Sequence, residues 1–310
     1  MEEPKSFVGV DIGGSQIKAL AFGRDGSQLA EEVRPTSDDG TQEWLKRVRD
    51  VTGSVIAACP APVRVGLAAP GLVSPDRTRI AYMPGRLSGL EGLDWQQSLN
   101  PGSVIKVFND AQAALLGEVW LGVAKGLRNV TMLTLGTGVG GAAMVDGRVL
   151  RGHIGRAGHL GHVSLNPDGA LDIVRTPGSL EDAIGECSLA SRSNGKFAST
   201  QELVAQYQRG NVEATEVWLK SINALAAALA GFINILDPEL LVIGGGIAEA
   251  GEALFKPLQA GLDKYEWRPG GARVRVAKAI LGRNAGAIGA AYGAKLASQL
   301  KSNPETDTGF

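Results

Sequence analysis

Cysteine is nearly absent: the chain has two, Cys59 and Cys187, far apart and outside any metal or redox spacing. That excludes a disulfide scaffold and suits a reducing cytoplasm. No run approaches the ~20 uninterrupted apolar residues that a membrane-spanning helix requires. The most apolar stretch, Ile222 to Leu236, is short and is interrupted by Asn223 and Asn234. Neither sign of charge dominates. With 31 Lys and Arg against 32 Asp and Glu, the net charge of −1 argues against nucleic acid or an anionic membrane as partner. The start, MEEPKSFVGVDIGG, is acidic and enters a strand pattern at once, unlike a signal peptide. A Walker A loop, G-x-x-x-x-G-K-[ST], is also missing.

What remains is an ordinary globular composition, 44% apolar and 20% charged. At 310 residues the chain exceeds the size at which one core usually stops growing, so two lobes are expected. Glycine is abundant, at 43 residues, and clusters at the ends of short apolar runs, where it permits tight turns and close backbone approach.

Two stretches look alike. Phe7 to Phe22 is followed by Arg24-Asp-Gly-Ser, and Val130 to Val145 by Asp146-Gly-Arg. Each reads as strand, glycine-rich turn, strand and Asp-Gly hairpin, which predicts two related domains. Further along, helical spacing covers Gln42 to Ala58, Asp110 to Gly122 (amphipathic), Glu213 to Leu236, Glu252 to Tyr265 and Ala285 to Leu300. Strand patterns cover Val63 to Ala68, Val104 to Phe108, Leu240 to Ile243 and Val274 to Ala277. The alternation predicts an α/β protein.

Three glycine-rich turns follow apolar strands: Asp11-Ile-Gly-Gly-Ser-Gln-Ile-Lys, Gly136-Thr-Gly-Val-Gly-Gly and Gly244-Gly-Gly-Ile-Ala. Taken singly, each is as readily a plain tight turn. Together they suit backbone amides facing an anion. Gly136 to Gly141 matches the dinucleotide fingerprint in letters, yet the chain continues as a strand where a helix is required. Asp11, at a strand end, can orient Mg²⁺-bound water against nucleotide phosphates, with Gly13, Gly14, Ser15 and Lys18 as further phosphate contacts. Asn109-Asp110 opens a helix, a natural capping position. Its chemical reading is that Asp110 takes the proton of an attacking hydroxyl while Asn109 binds a neighbouring one, the helix start keeping Asp110 ionised. His159 and His162 sit among glycines with no cysteine to complete a metal site, and hydrogen bonding to a sugar is the better reading.

The ordered set Asp11-Ile-Gly-Gly-Ser, Ala69-Pro-Gly, Asn109-Asp110-Ala, Leu135-Gly-Thr-Gly-Val-Gly-Gly, Ala157-Gly-His-Leu-Gly-His, Gly178-Ser-Leu-Glu181 and Leu241-Val-Ile-Gly-Gly-Gly resembles the ROK family over residues 7 to 298. That family comprises bacterial glucokinases, related hexose and N-acetylhexosamine kinases, and repressors sharing the fold. The resemblance implies an actin/hexokinase-like (ribonuclease H-like) α/β fold with ATP and sugar in an interdomain cleft. The expected domains are 1–108 with 284–301, and 109–283, with 302–310 a disordered tail. It implies Asp110 as catalytic base, Gly71, Asn109, His162 and Glu181 as sugar-binding positions, and ATP with Mg²⁺ as cofactors. Thr137 and Gly138 join the phosphate contacts, and Gly245 and Gly246 lie near the adenosine. A homodimer is implied too.

The departures bear on the substrate. His159 stands where these kinases usually carry a sugar-binding Glu, exchanging an acceptor-only group for imidazole. Many members bind zinc through the residue matching His162 and three cysteines, here Asp172, Val174 and Ser179, so zinc is not expected. Gly85 replaces an Asn near Pro84. The leading expectation is an ATP-dependent kinase acting on a hexose or hexose derivative at C6. The alternatives are a non-catalytic sugar- or nucleotide-binding protein and a donor such as polyphosphate. Six residues before Phe7 leave no room for a repressor's helix-turn-helix, so DNA binding is not expected.

Overall fold

The computed structural model describes residues 3–83, 85, 87–99, 102 and 105–300. The expected tail at 302–310, Pro84 and Val104 lie outside them. In chain order the elements begin with β1 (Ser6–Ile12), β2 (Gln16–Gly23), β3 (Gln28–Pro35), α1 (Glu43–Ala57), β4 (Val63–Ala69), β5 (Leu72–Val73) and β6 (Ile80–Tyr82). There follow α2 (Trp95–Leu99), β7 (Ile105–Asn109), α3 (Asp110–Leu121), β8 (Val130–Leu135), β9 (Val139–Val145) and β10 (Arg148–Val149). The chain continues through α4 (Leu180–Ile184), α5 (Leu189–Arg192), α6 (Thr200–Gln208) and α7 (Val212–Leu236). It closes with β11 (Leu240–Gly244), α8 (Glu252–Tyr265), β12 (Arg275–Lys278) and α9 (Ala285–Leu300).

Two five-stranded sheets carry the fold, in the orders β3-β2-β1-β4-β7 and β10-β9-β8-β11-β12. In the first, β1 runs antiparallel to β2 and parallel to β4, and β4 parallel to β7. In the second, β8 runs antiparallel to β9 and parallel to β11, and β11 parallel to β12. The same order twice, hairpins first and crossovers after, is the internal repeat read from the sequence. Its second Asp-Gly hairpin is realised by positive φ at both Asp146 (52°) and Gly147 (79°), the backbone a tight I′-type turn requires.

The central strands read as nearly continuous apolar runs because both of their faces are covered. Val8, Val10 and Ile12 of β1, and Leu240 to Ile243 of β11, are fully buried. Among the described residues, one compact unit holds those up to Gly126 together with Arg148–Ala157 and those from Leu281 onward. The other holds Leu127–Gly147 and Gly158–Ile280. Each has its own core. In the first, α1 buries Trp44, Leu45, Val48, Val51 and Val55, the periodic face expected, and Trp44 meets Trp95 edge-on at 6.2 Å.

Two helices differ from their sequence patterns. The amphipathic helix expected over Asp110 to Gly122 is α3, and it is buried on nearly all sides, including Gln112 and Glu118, because it packs along α9. In the second unit α7 is long and apolar enough by composition to cross a membrane, but half of its most apolar window is buried. Trp218, Ile222, Leu225, Leu229 and Ile233 form the core of that unit, so core packing accounts for its apolarity.

Candidate active site

The candidate residues divide between the two units. In the first, β1 delivers Asp11 to the glycine turn, where Gly13 N–H donates to the Gln16 carbonyl at 2.9 Å. Thr36, a residue without a sequence signal, braces this turn. Its hydroxyl donates to the Gly13 carbonyl at 2.6 Å and its amide to the Ser15 carbonyl at 3.0 Å. Gly14 and Ser15 are left exposed at the tip, as a turn facing an anion requires.

Lys18 pairs with Asp11 across β1 and β2. It is buried and donates to the Arg283 carbonyl at 2.6 Å, just before α9. Gly286 in the first turn of α9 backs Asp11 so closely that a Cβ there would lie 2.5 Å from a carboxylate oxygen. Burial pushes the Asp11 carboxyl up to about 7; Lys18 opposes the shift and Asp110 adds to it. Burial lowers Lys18, with Asp11 and Glu31 raising it and Arg283 lowering it further.

The sign for stability follows from the raised value. Between the ordinary 3.8 and about 7 the folded chain keeps a proton that the unfolded chain has lost, so this group destabilises the fold progressively as pH rises through that window. Thermal melts between pH 5 and 7.5 should show that loss in the wild type and a flatter profile in Asp11→Asn. An identical slope in both would contradict this assignment.

Asn109 caps α3: its Oδ1 accepts from Ala111 N–H at 3.0 Å and Gln112 N–H at 3.4 Å. Its Nδ2 donates to the Gly71 carbonyl at 3.1 Å, so two predicted sugar positions are joined. Gly71 has φ +102° and packs against Tyr82, leaving no room for a side chain. Asp110 is the first residue of α3, exposed, with Oδ1 accepting from Ala111 N–H at 2.8 Å.

In the second unit, the turn at Gly136 to Gly138 joins β8 to β9. The strand β9 continues where a dinucleotide-binding turn would begin a helix. Glu181, in the first turn of α4 behind its Ser179 cap, accepts from Val139 N–H at 2.9 Å. A Cβ on Gly138 would lie 2.5 Å from the same oxygen. Glu186 N–H and Cys187 N–H donate to the carbonyls of Gly136 (3.0 Å) and Thr137 (2.8 Å). Arg192, another residue without a sequence signal, holds this support from behind. It donates to the Ile184 and Gly185 carbonyls and to Ser188 and Ser221. The glycine turn is thereby fixed from the side of α4, with Thr137 exposed at its tip.

Gly245 lies beside the same turn. Its φ is +85°, and a Cβ would lie 2.2 Å from the Leu135 carbonyl, while Gly246 opens a short helical turn with free space around it. His159 stands half-buried at the head of the one-turn helix Leu160–His162. Gly161 lets that turn rest on β9, since a Cβ there would meet the Val139 carbonyl at 1.9 Å.

His162, Asp172 and Glu181 bring one ligand atom each within 4.8 Å of one another. They do not fit the zinc that the resemblance brings to mind. Asp172 Oδ2 is paired with His162 Nδ1 at 2.8 Å, and its Oδ1 accepts from Val174 N–H (3.0 Å) and Thr176 N–H (2.8 Å). Ser179 Oγ accepts from Asp182 N–H. The Val174 side chain offers no donor atom, and one of the two Glu181 oxygens already accepts from Val139 N–H. Thiolates, which structural zinc sites of this type use, are replaced here by a closed hydrogen-bonded set.

Comparison with known proteins gives the chain its relatives. The ROK family model matches residues 7–297. A glucokinase of Thermotoga maritima is 30% identical, covering 92% of this chain and 95% of its own. The crystal structure of a ROK hexokinase from Thermus thermophilus superposes with a TM-score of 0.83 at 30% identity, over 95% of this chain and 99% of that one. A ROK family glucokinase from Streptomyces griseus, in complex with glucose and AMPPNP, gives 0.75 at 26% identity over 94% and 99%.

Proposed function

Because the chain belongs to the ROK family, we propose that it is an ATP-dependent sugar kinase, transferring the γ-phosphoryl group to a hydroxyl, at C6, of a hexose or hexose derivative. The glucose and AMPPNP held by the Streptomyces griseus relative support both substrate classes. The observation that carries the reading is the start of α3. Asn109 is locked there by bonds to Gly71 and to two amides, and presents Asp110 exposed beside it.

Asp110 is the base. It orients the sugar hydroxyl and accepts its proton as the oxygen attacks phosphorus, a modest share of catalysis in phosphoryl transfer, where donors around the phosphates carry more of the charge. The two glycine turns, exposed at Gly14, Ser15 and Thr137, supply those donors. Asp11, at the end of β1, would hold Mg²⁺ through its bound water, and the ion would supply positive charge against the phosphates. His162 and Glu181 bind the sugar. His159, an imidazole where the resemblance expects an acceptor-only carboxylate, changes the charge and hydrogen-bond polarity that the sugar meets.

A coupled ADP-release assay with Mg-ATP against hexoses, acetamido sugars and polyols tests this. Turnover dependent on one sugar class is expected, and its C2 group reports what His159 selects. Silence across the panel with ATP still bound would replace the kinase by a non-catalytic binding protein.

A further inference from the structure

We propose that Asp172 does in this chain what a metal would otherwise do. It staples the loop between Leu160 and Glu181 and fixes His162 with its proton on Nδ1, leaving the Nε2 lone pair to accept from a sugar hydroxyl. The last step rests on the sugar-kinase reading; the first two do not.

The loop closes around this one side chain. The Asp172 carboxylate is fully buried and holds His162 on one oxygen and the amides of Val174 and Thr176 on the other, and the Ser179 side chain bonds the same carboxylate. Its backbone closes the same ring, Asp172 N–H donating to the Thr176 carbonyl at 3.0 Å and Arg175 N–H to the Asp172 carbonyl at 2.9 Å. The ends are tied by Gly178 N–H to the Ala170 carbonyl (2.7 Å) and Leu165 N–H to the Gly178 carbonyl (2.8 Å). A tetrahedral ion gathers four side chains at one point; here one carboxylate gathers an imidazole, a hydroxyl and two amides. Val174, at one of the positions where the resemblance implies a cysteine, is exposed.

An ionised carboxylate only accepts, and Oδ1 is already committed to two backbone N–H groups. Nδ1 of His162 must therefore be the donor at 2.8 Å, and in the neutral ring Nε2 becomes the acceptor. Asp172 is a positioning residue: it acts on a sugar only through His162.

The staple and the tautomer are tested without activity. Nitrogen-15 spectra of the full chain labelled at histidine, with the His162 signals assigned by their loss in His162→Gln, should show the Nδ1-protonated tautomer. Metal analysis should find far less than one zinc per chain, and EDTA should leave the melting temperature unchanged. In Asp172→Asn the amide can still accept from Val174 and Thr176, but its NH₂ faces Nδ1 and drives the proton to Nε2. The tautomer signature should invert and KM for the sugar rise about tenfold, with kcat changed far less. Asp172→Ala should lower the melting temperature. Stoichiometric zinc, a melting temperature that drops on chelation, or an Nε2-protonated His162 in the wild type would each overturn the staple. The expected tautomer in a chain that phosphorylates no sugar would sink the kinase reading and leave the staple standing.

Discussion

Asp110→Asn is expected to lower kcat by about 10²–10⁴-fold, the range a positioned general base supplies, while KM for sugar and for ATP stay within a few-fold. Asn keeps an oxygen for the Ala111 amide that Asp110 now bonds at 2.8 Å, so the start of α3 survives the change. Asn109, whose bonds to Gly71 and Gln112 do not involve the Asp110 side chain, keeps its place. The chemical loss is proton acceptance, an interaction realised as the hydroxyl attacks, and such losses fall on kcat and kcat/KM together; the lost charge also relieves its push on Asp11. Steady-state kinetics on the best sugar of the panel would check it. A variant within a few-fold of wild type would remove Asp110 from the chemistry.

Gly289→Ala is expected to be the most damaging conservative change in the first unit. The helix α9 approaches its neighbours at backbone distance. A Cβ on Gly289 would lie 1.6 Å from the Ala113 carbonyl oxygen of α3, and one on Gly117 would lie 2.5 Å from that of Ala285. The strands are met as closely, with Gly9 against Ala287 and Gly66 against Ala290. No side-chain rotation relieves a clash with backbone, so the two helices must separate. That costs about 3 kcal/mol or more, or roughly 6–12 °C of melting temperature for a body of this size. Because α3 opens with Asp110 and α9 opens beside Asp11 through Gly286, activity should fall with stability. Gly53 is the control. It is exposed within α1 with nothing near its Cβ position, and Gly53→Ala should stabilise by about 0.5–1 kcal/mol. Equal melting temperatures for the two variants would contradict the packing argument.

The repeated half of the fold was legible because its signal is local. Strand, glycine turn, strand and Asp-Gly hairpin lie within some twenty residues, and both copies of the sheet follow. Helix α1 was legible for the same reason, its buried face being written at helical spacing. The burial of α3 was not, because Gln112 and Glu118 look solvent-facing until Leu150 and Leu281 are known to be their partners. In the site, Asp11, Asn109, Asp110 and the glycine turns could be named because strand ends and helix starts expose backbone groups at predictable places. Thr36, Arg192 and Arg283 could not. Their partners lie 23 residues away at Gly13 for Thr36, 29 at Ser221 for Arg192 and 265 at Lys18 for Arg283, and no spacing rule reaches that far. Asp172 stood out only as a missing cysteine. That it is a fully buried acceptor gathering an imidazole, a hydroxyl and two amides follows from the folded loop alone.

The most direct measurement is the phosphorus-31 spectrum of a reaction containing the full chain, Mg-ATP and the sugar that releases most ADP. A new monoester signal on the C6 oxygen, growing in step with ADP and absent with Asp110→Asn, is the predicted result. ADP accompanied by inorganic phosphate and no sugar ester would contradict it.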